Sequence, residues 1–330
     1  MNRNKKVKYL LISTIAVVLV AAILVTLIVI DHKHGIFPER EQEKKIFEYN
    51  GVTYKLKNGI ETFLVLGLDK YDESISSEPD SYNNNQQSDF LMLMVFDNRA
   101  KTYSTVHINR DTMVEMDVLG LGGSKVGTAT KQIALAHTYG KGGTVSNSNA
   151  ARAVSNLLCG VKVNHSMSFT LDSVGVMNEL VGGVTLEVLD DFTGVEGGEG
   201  LVKGETVTLT NEQALLYVQH RRELDDSSNA TRMQRQRQYL EIMRTEIERC
   251  IEEDSEFLKN AVLKMNDYMS SDSTTARLQD IGKRLQEYEF VEITDIEGES
   301  IVGKSGKMEF YPNEDSLKQL VIDLFYIPKN

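Results

Sequence analysis

TFLVLGLD, Thr62–Asp69, and FLMLMVF, Phe90–Phe96, are the two stretches whose reading decides the fold class. Each is short and apolar at nearly every position, and each adjoins a carboxylate, Asp69 closing the first and Asp89 preceding the second. A strand with one wet face alternates apolar and polar residues, whereas one that stays apolar at successive positions is covered on both sides. Strands of the second kind belong to α/β sheets flanked by helices. A third strand ends at Val106–Ile108, and ligands of such sheets collect beyond the strand ends. Asp69, Asp89 and the neighbouring pair Arg110-Asp111 are therefore the first positions to inspect.

Outward from these strands the chain alternates in the manner of an α/β domain. Helical patterns are expected over about 131–138, over 147–158 with Ala150, Val154, Leu157 and Leu158 on one side, and over 169–180. Gly182-Gly183 then breaks the chain before VTLEVLDDF, which reads as a strand. Thr210-Asn211-Glu212 opens a helix through Val218, Asn229 begins a long charged helix to about Glu253, and a strand-like segment followed by a short helix near 314–326 closes the chain. Cys159 and Cys250 lie on patterns that look like helix faces and read as small hydrophobes, with a disulfide the alternative.

Tyr9–Ile30 runs YLLISTIAVVLVAAILVTLIVI without a charge, long enough to cross roughly 30 Å of hydrocarbon. It exceeds a signal-peptide core and no small-x-small cleavage site follows, so it reads as an uncleaved anchor. Arg3, Lys5, Lys6 and Lys8 precede it and keep the N-terminus cytoplasmic, which sends the rest of the chain outside. The charged, polar residues 31–59 read as a stalk. The net charge of −12 sits almost wholly on the outer portion, so nucleic acid is an unsuitable partner.

Against that acidic background Gln213–Gln238 concentrates Arg221, Arg222, Arg232, Arg235 and Arg237. A guanidinium presents a planar fork that matches phosphate oxygens, whereas a solvated helix face is the plain alternative. Arg232, Arg235 and Gln236 fall at i, i+3 and i+4, on one side of a helix. HINRDTM, His107–Met113, places Arg110 beside Asp111 at a strand end, as an anion clamp or as a loop salt bridge. Asp69 and Asp89 could share a divalent cation with phosphate oxygens. His137 sits at a helix end, where a structural role outweighs that of a base. No HExxH, CxxC, Walker A or GxSxG element occurs, so any chemistry rests on Arg, Asp and a metal.

In order along the chain, FLVLGLD, SDFLMLMVFD, INRDT, AHTYGKGG, NELVGGVTLEV, EQALLYVQHR and DDSSNATRMQRQRQ resemble the LytR-CpsA-Psr (LCP) family of wall-polymer ligases. The resemblance implies a central mixed sheet flanked by helices, with an apolar pocket for a polyprenyl tail. It implies a phosphotransferase that moves a glycan phosphate from a polyprenyl-pyrophosphate-linked precursor to peptidoglycan. Carried over residue by residue, Arg110, Asp111 and Asp89 are catalytic. Arg110, Arg221, Arg232, Arg235 and Gln236 bind the pyrophosphate, Asp226 supports them, and Asp69 and Asp89 hold Mg²⁺. The domain boundaries follow as a cytoplasmic tail 1–8, a membrane helix 9–30, the stalk, a catalytic domain 60–255 and an extension 256–330 packed on it.

The chain departs from the family pattern at several points. Gln87 and Gln219 stand where Arg is usual, PRD is replaced by NRD, and Gln132 and Ala134 replace the Lys and Asn of another segment. Those departures keep two rivals in play, a lipid-binding module without turnover and a pyrophosphatase that uses water. A role in transcriptional attenuation is opposed by the outward topology and the acidic charge.

Overall fold

The computed structural model describes residues 46–70, 83–221, 224 and 228–329, all within the unit Glu43–Asn330. In chain order its elements begin with β1 (Ile46–Tyr49), β2 (Val52–Leu56), β3 (Ile60–Lys70), β4 (Gln86–Asp97), β5 (Thr102–His107), β6 (Met113–Leu119) and β7 (Lys125–Gln132). A short 3-10 helix (Ile133–Thr138) leads to α1 (Gly143–Leu157), β8 (His165–Thr170), α2 (Ser173–Leu180), β9 (Thr185–Glu187), β10 (Thr206–Thr208) and α3 (Asn211–Gln219). Then come α4 (Asn229–Glu253), α5 (Phe257–Met265), β11 (Met269–Ser271), α6 (Thr275–Glu287), β12 (Glu289–Asp295), β13 (Gly298–Val302), β14 (Met308–Pro312), α7 (Glu314–Phe325) and β15 (Tyr326–Pro328).

Six strands make the central sheet in the order β11-β8-β3-β4-β5-β12. β4 is antiparallel to β3 and β5, while β8 runs parallel to β3 and β12 parallel to β5, so the sheet is mixed. The two-residue period of a strand divides each apolar stretch between two cores. Leu64, Leu66 and Leu68 of β3 and Leu91, Leu93 and Val95 of β4 face one of them. Ala150, Ala153 and Val154 of α1 and Phe325 of α7 close that core, the alanines letting α1 lie close to the sheet. Phe63 and Phe96 face the other core, beneath Ile281 of α6. Full burial of one such leucine contributes about 1.5–3 kcal/mol, which is why both faces must be covered.

Beside the sheet, a third core of Leu186, Phe192, Tyr217 and Met243 joins β9, α3 and α4. α3 starts where the sequence predicts: Thr210 accepts from the Gln213 backbone at 3.2 Å, and the Gln213 side chain accepts from the Thr210 backbone at 3.1 Å. α4 begins behind Ser228, whose hydroxyl accepts from Thr231 N.

Several expectations are corrected. Residues 46–56, assigned to the stalk, form β1 and β2, and β2 pairs with β15 while Phe47 is buried in the first core. Residues 256–330 are no appended extension, because β11 and β12 are edge strands of the central sheet. The helix expected over 131–138 is the end of β7 followed by a 3-10 turn, and the one expected from 169 is preceded by β8. Cys159 and Cys250 are not bridged, and they pack against the edges of different cores. Among the described residues no helix is long and apolar enough to cross a membrane, and the Tyr9–Ile30 anchor and residues 31–45 of the stalk lie outside them.

Candidate active site

β3 and β4 separate two kinds of surroundings along their length. Toward Asp69 their ends are polar; further back, Val65 and Gly67 of β3 and Phe90 of β4 line a cavity of about 160 Å³. Val174 and Met177 of α2, Val218 at the end of α3, and Tyr239 and Leu240 of α4 complete its apolar lining. A second apolar cavity of about 240 Å³ shares Val65, Phe169 and Met177 with it and extends under α5 and α6. A Cβ at Gly67 would stand 3.0 Å from Phe90 Cβ, so the glycine is what lets the Phe90 ring lie alongside β3.

Asp89 enters this cavity because of a register fault. Gly67 pairs with Phe90 and Leu68 with Ser88, leaving Asp89 as the extra residue of a β-bulge. A bulge turns two successive side chains toward one face, so Asp89 and Phe90 both line the cavity. Two guanidiniums close on the carboxylate: Arg110 Nη1 donates to Asp89 Oδ1, and Arg232 Nη1 donates to Asp89 Oδ2 at 3.2 Å. Arg110 comes from the loop after β5 and Arg232 from the first turns of α4, and both are buried. Arg232 Nε is buried without a hydrogen-bond partner, which leaves donor capacity there, whereas Arg110 Nε faces the Asp111 carboxylate. Burial pulls the Arg232 guanidinium down to about 10, opposed by Asp89.

Asp111 lies behind Arg110, with Oδ1 3.6 Å from Arg110 Nε and accepting from Gln132 Nε2 at 2.8 Å. Burial raises its pKa, opposed first by Arg110. Arg221 is half-buried, and its charge acts on both Asp111 and Arg232. Gln236 lines the cavity, donates from Nε2 to Val218 O at 3.0 Å, and keeps a buried Oε1 without a partner.

Two of the departures from the family pattern, Gln87 and Gln219, act here. Gln87 Oε1 accepts from Arg110 Nη2 at 3.0 Å, and Gln219 Nε2 donates to Asp69 Oδ2 at 3.1 Å. Each amide steadies another site residue.

Arg235 is a correction. It is wholly buried, donates to Tyr217 O at 2.7 Å and to His220 O, and pairs through Nε with Asp190 at 2.9 Å. It packs beside the adjoining Phe192 and Tyr217 rings, 5.2 and 5.7 Å from their centres, is not among the residues that line the cavity, and caps the carbonyls that end α3. Residues 232, 236, 239 and 240 form the stripe of α4 that meets the cavity, and 235 falls beside it. Asp226 lies outside the described residues. His137 is a satisfied structural residue between Gln86 O and Asn147 Oδ1.

Sequence reasoning missed Asn109 and Asn229, which connect the two arginines. The signal available was Asn229 at three residues before Arg232, on the same side of α4.

Asp69 and Asp89 are the carboxylates available to a metal, and among the described residues no group of three or more His, Cys, Asp or Glu is arranged to hold one. Magnesium is commonly bound by one or two carboxylates together with substrate phosphate oxygens and water. The donor set fits an ion that arrives with a phosphate, not a resident one.

Fold and site together define an α/β protein with an apolar cavity whose polar end carries two buried arginines. The LytR_cpsA_psr family profile matches residues 31–324, and the chain belongs to that family. The polyisoprenyl-teichoic acid–peptidoglycan teichoic acid transferase TagU of Bacillus mycoides (strain KBAB4) is 26% identical over 187 residues, 57% of this chain and 56% of that protein's length. Among solved structures, gbs0355 from Streptococcus agalactiae superposes with a TM-score of 0.62 at 17% identity, covering 80% of this chain and 87% of that one. TagT bound to LI-WTA gives 0.60 at 19%, covering 87% and 96%. B. subtilis TagV gives 0.59 at 20%, covering 81% and 96%. At these identities the structural likeness is one of fold.

Proposed function

We propose that this chain is an extracytoplasmic phosphotransferase that moves a glycan phosphate from a polyprenyl-pyrophosphate-linked precursor to peptidoglycan. The observation that carries this reading is Arg110 and Arg232 converging on Asp89 at the polar end of an apolar cavity. The TagU relative supports it by its name, a teichoic acid transferase acting on a polyisoprenyl-linked polymer and peptidoglycan. Apolar walls suit a prenyl tail, each buried CH₂ contributing about 0.8 kcal/mol. Buried guanidiniums suit a pyrophosphate, which they meet as paired charge-assisted donors.

In the reaction, a sugar hydroxyl of peptidoglycan attacks the phosphorus next to the glycan. A new P–O bond forms, the bond from that phosphorus to the bridging oxygen breaks, and polyprenyl phosphate leaves with the electron pair. Asp89 or Asp111 takes the hydroxyl proton in this scheme: Asp89 lines the cavity between the two guanidiniums, and Asp111 lies behind Arg110. Arg110, Arg221 and Arg232 stabilise charge on the transferred and leaving groups, and Gln236 Oε1 is available to orient the acceptor. Mg²⁺ held by Asp69, Asp89 and phosphate oxygens would neutralise more of that charge. Tethering by Tyr9–Ile30 would keep the site close to a lipid substrate and raise its effective concentration.

The test is transfer by Arg110→Ala and Arg232→Ala proteins. Both should retain the fold and lose transfer; wild-type rates in either would contradict the assignment. Gln87 and Gln219, neutral where the family pattern has Arg, favour a second reading, capture of the lipid without turnover. Bound polyprenyl lipid with no product in the presence of acceptor would establish that one instead.

A further inference from the structure

Arg110 and Arg232 reach Asp89 from elements far apart in sequence, and the spacing between their guanidiniums must be set by something between the loop after β5 and the start of α4. The side chains there form an unbroken polar chain. Arg232 Nη2 donates to Asn229 Oδ1 at 2.5 Å, and Asn229 Nδ2 donates to Asn109 Oδ1 at 2.8 Å. Asn109 Oδ1 also accepts from Asp111 N at 3.0 Å, and Asn109 O accepts from Thr112 N at 3.0 Å and Thr112 Oγ1 at 2.6 Å. The second set of bonds closes a turn around Arg110 itself.

We propose that Asn229 and Asn109 are positioning residues: an amide bridge that fixes the Arg110 and Arg232 guanidiniums at the separation a pyrophosphate needs. The inference rests on the pyrophosphate-binding role proposed above. Two observations favour it over plain packing. Asn229 is buried and both ends of its amide are used, one on Arg232 and one on the Arg110 loop. Its third neighbour is Met233 sulfur at 3.5 Å, so what the polar end of this side chain serves is the arginine pair.

Donor and acceptor roles at the two positions differ, and the bridge is testable through that difference. Position 229 must donate and accept at once. An aspartate there keeps the Arg232 contact but turns a second acceptor toward Asn109 Oδ1, so Asn229→Asp breaks the bridge without changing size. Position 109 only accepts, so Asn109→Asp keeps both bonds while Asn109→Ala removes them.

The experiment titrates the full chain in detergent micelles with geranylgeranyl pyrophosphate and with geranylgeraniol, which has the same tail and no charge. Wild type should prefer the pyrophosphate by at least about a hundredfold, the least that two charge-assisted hydrogen bonds provide. Asn229→Asp and Asn109→Ala should each lose most of that preference, with geranylgeraniol affinity unchanged as the sign of an intact cavity. Asn109→Asp should keep it, and the double variant should lose no more than either single one. Should Asn109→Ala fail to fold, the near-isosteric Asn229→Asp carries the comparison alone. Full preference in Asn229→Asp would overturn the bridge and leave the site assignment standing. A wild type without preference would remove the pyrophosphate site and the bridge together.

Discussion

Asp89→Asn removes the one negative charge between two buried guanidiniums, and the consequence can be worked from the geometry. The Arg232 side chain is 2% exposed and that of Asp89 11%, so water screens little of their interaction. Breaking a buried pair by removing one partner costs about 3–5 kcal/mol. Asparagine keeps one acceptor for one arginine but presents its NH₂ to the other, so a loss near 3 kcal/mol, at the low end of that range, is expected. For a domain of this size each kcal/mol lowers the melting temperature by about 2–4 °C, giving a drop of about 6–12 °C. Inorganic pyrophosphate should then narrow the gap, because an anion between Arg110 and Arg232 replaces the lost charge in the variant but competes with Asp89 in wild type. At a hundred times its dissociation constant a ligand adds about 2.7 kcal/mol. The assay is thermal denaturation of both proteins with and without pyrophosphate. A variant that melts with wild type, or a gap that pyrophosphate leaves unchanged, would refute the view of Asp89 as a stand-in for substrate charge.

Arg235→Ala should destabilise the protein by several °C on thermal denaturation and, where folded, leave pyrophosphate affinity within about twofold of wild type, since it caps α3 instead of facing the cavity. Met177→Trp, at a position shared by both cavities, should weaken geranylgeraniol binding by about tenfold or more with no loss of melting temperature; unchanged binding in calorimetry would place the tail elsewhere. Burial works to raise the Glu61 carboxyl, but Arg284 and Arg277 outweigh it and hold it at about 2 against an ordinary 4.5. A depressed carboxylate contributes stability that is present above 4.5 and lost as pH falls toward 2, so Glu61→Gln should flatten the pH dependence of denaturant midpoints across that window.

The middle of the central sheet was legible because β3 and β4 are buried on both faces and their sequences say so, whereas β8, HSMSFT, carries no apolar run. β7, KVGTATKQ, and β11, MSS, were not: one is largely exposed and the other is a three-residue edge strand, so neither carries an apolar run. β1 and β2 were hidden for a different reason, since their pairing with β15 joins residues at opposite ends of the chain. At the site, Asp89 and Arg110 were singled out by their place at strand ends and Arg232 and Gln236 by residue type and helical spacing, and the structure brings the four together. Arg235 shares those signals and differs only in which neighbour its helix face meets, a fact of tertiary packing against Tyr217 and Phe192. The bulge that aims Asp89 into the cavity leaves no mark in composition, and Asn109 and Asn229 meet only because the loop after β5 lies against the first turn of α4.

The most direct measurement incubates the full chain in lipid with a polyprenyl-pyrophosphate-linked glycan, peptidoglycan and Mg²⁺, and follows phosphorus by mass spectrometry of the digested wall. The account predicts a phosphodiester joining glycan to peptidoglycan sugar, one polyprenyl phosphate released for each, and neither product from Arg110→Ala or Arg232→Ala. Lipid held in the cavity with no phosphodiester, or glycan phosphate released only to water, would contradict it.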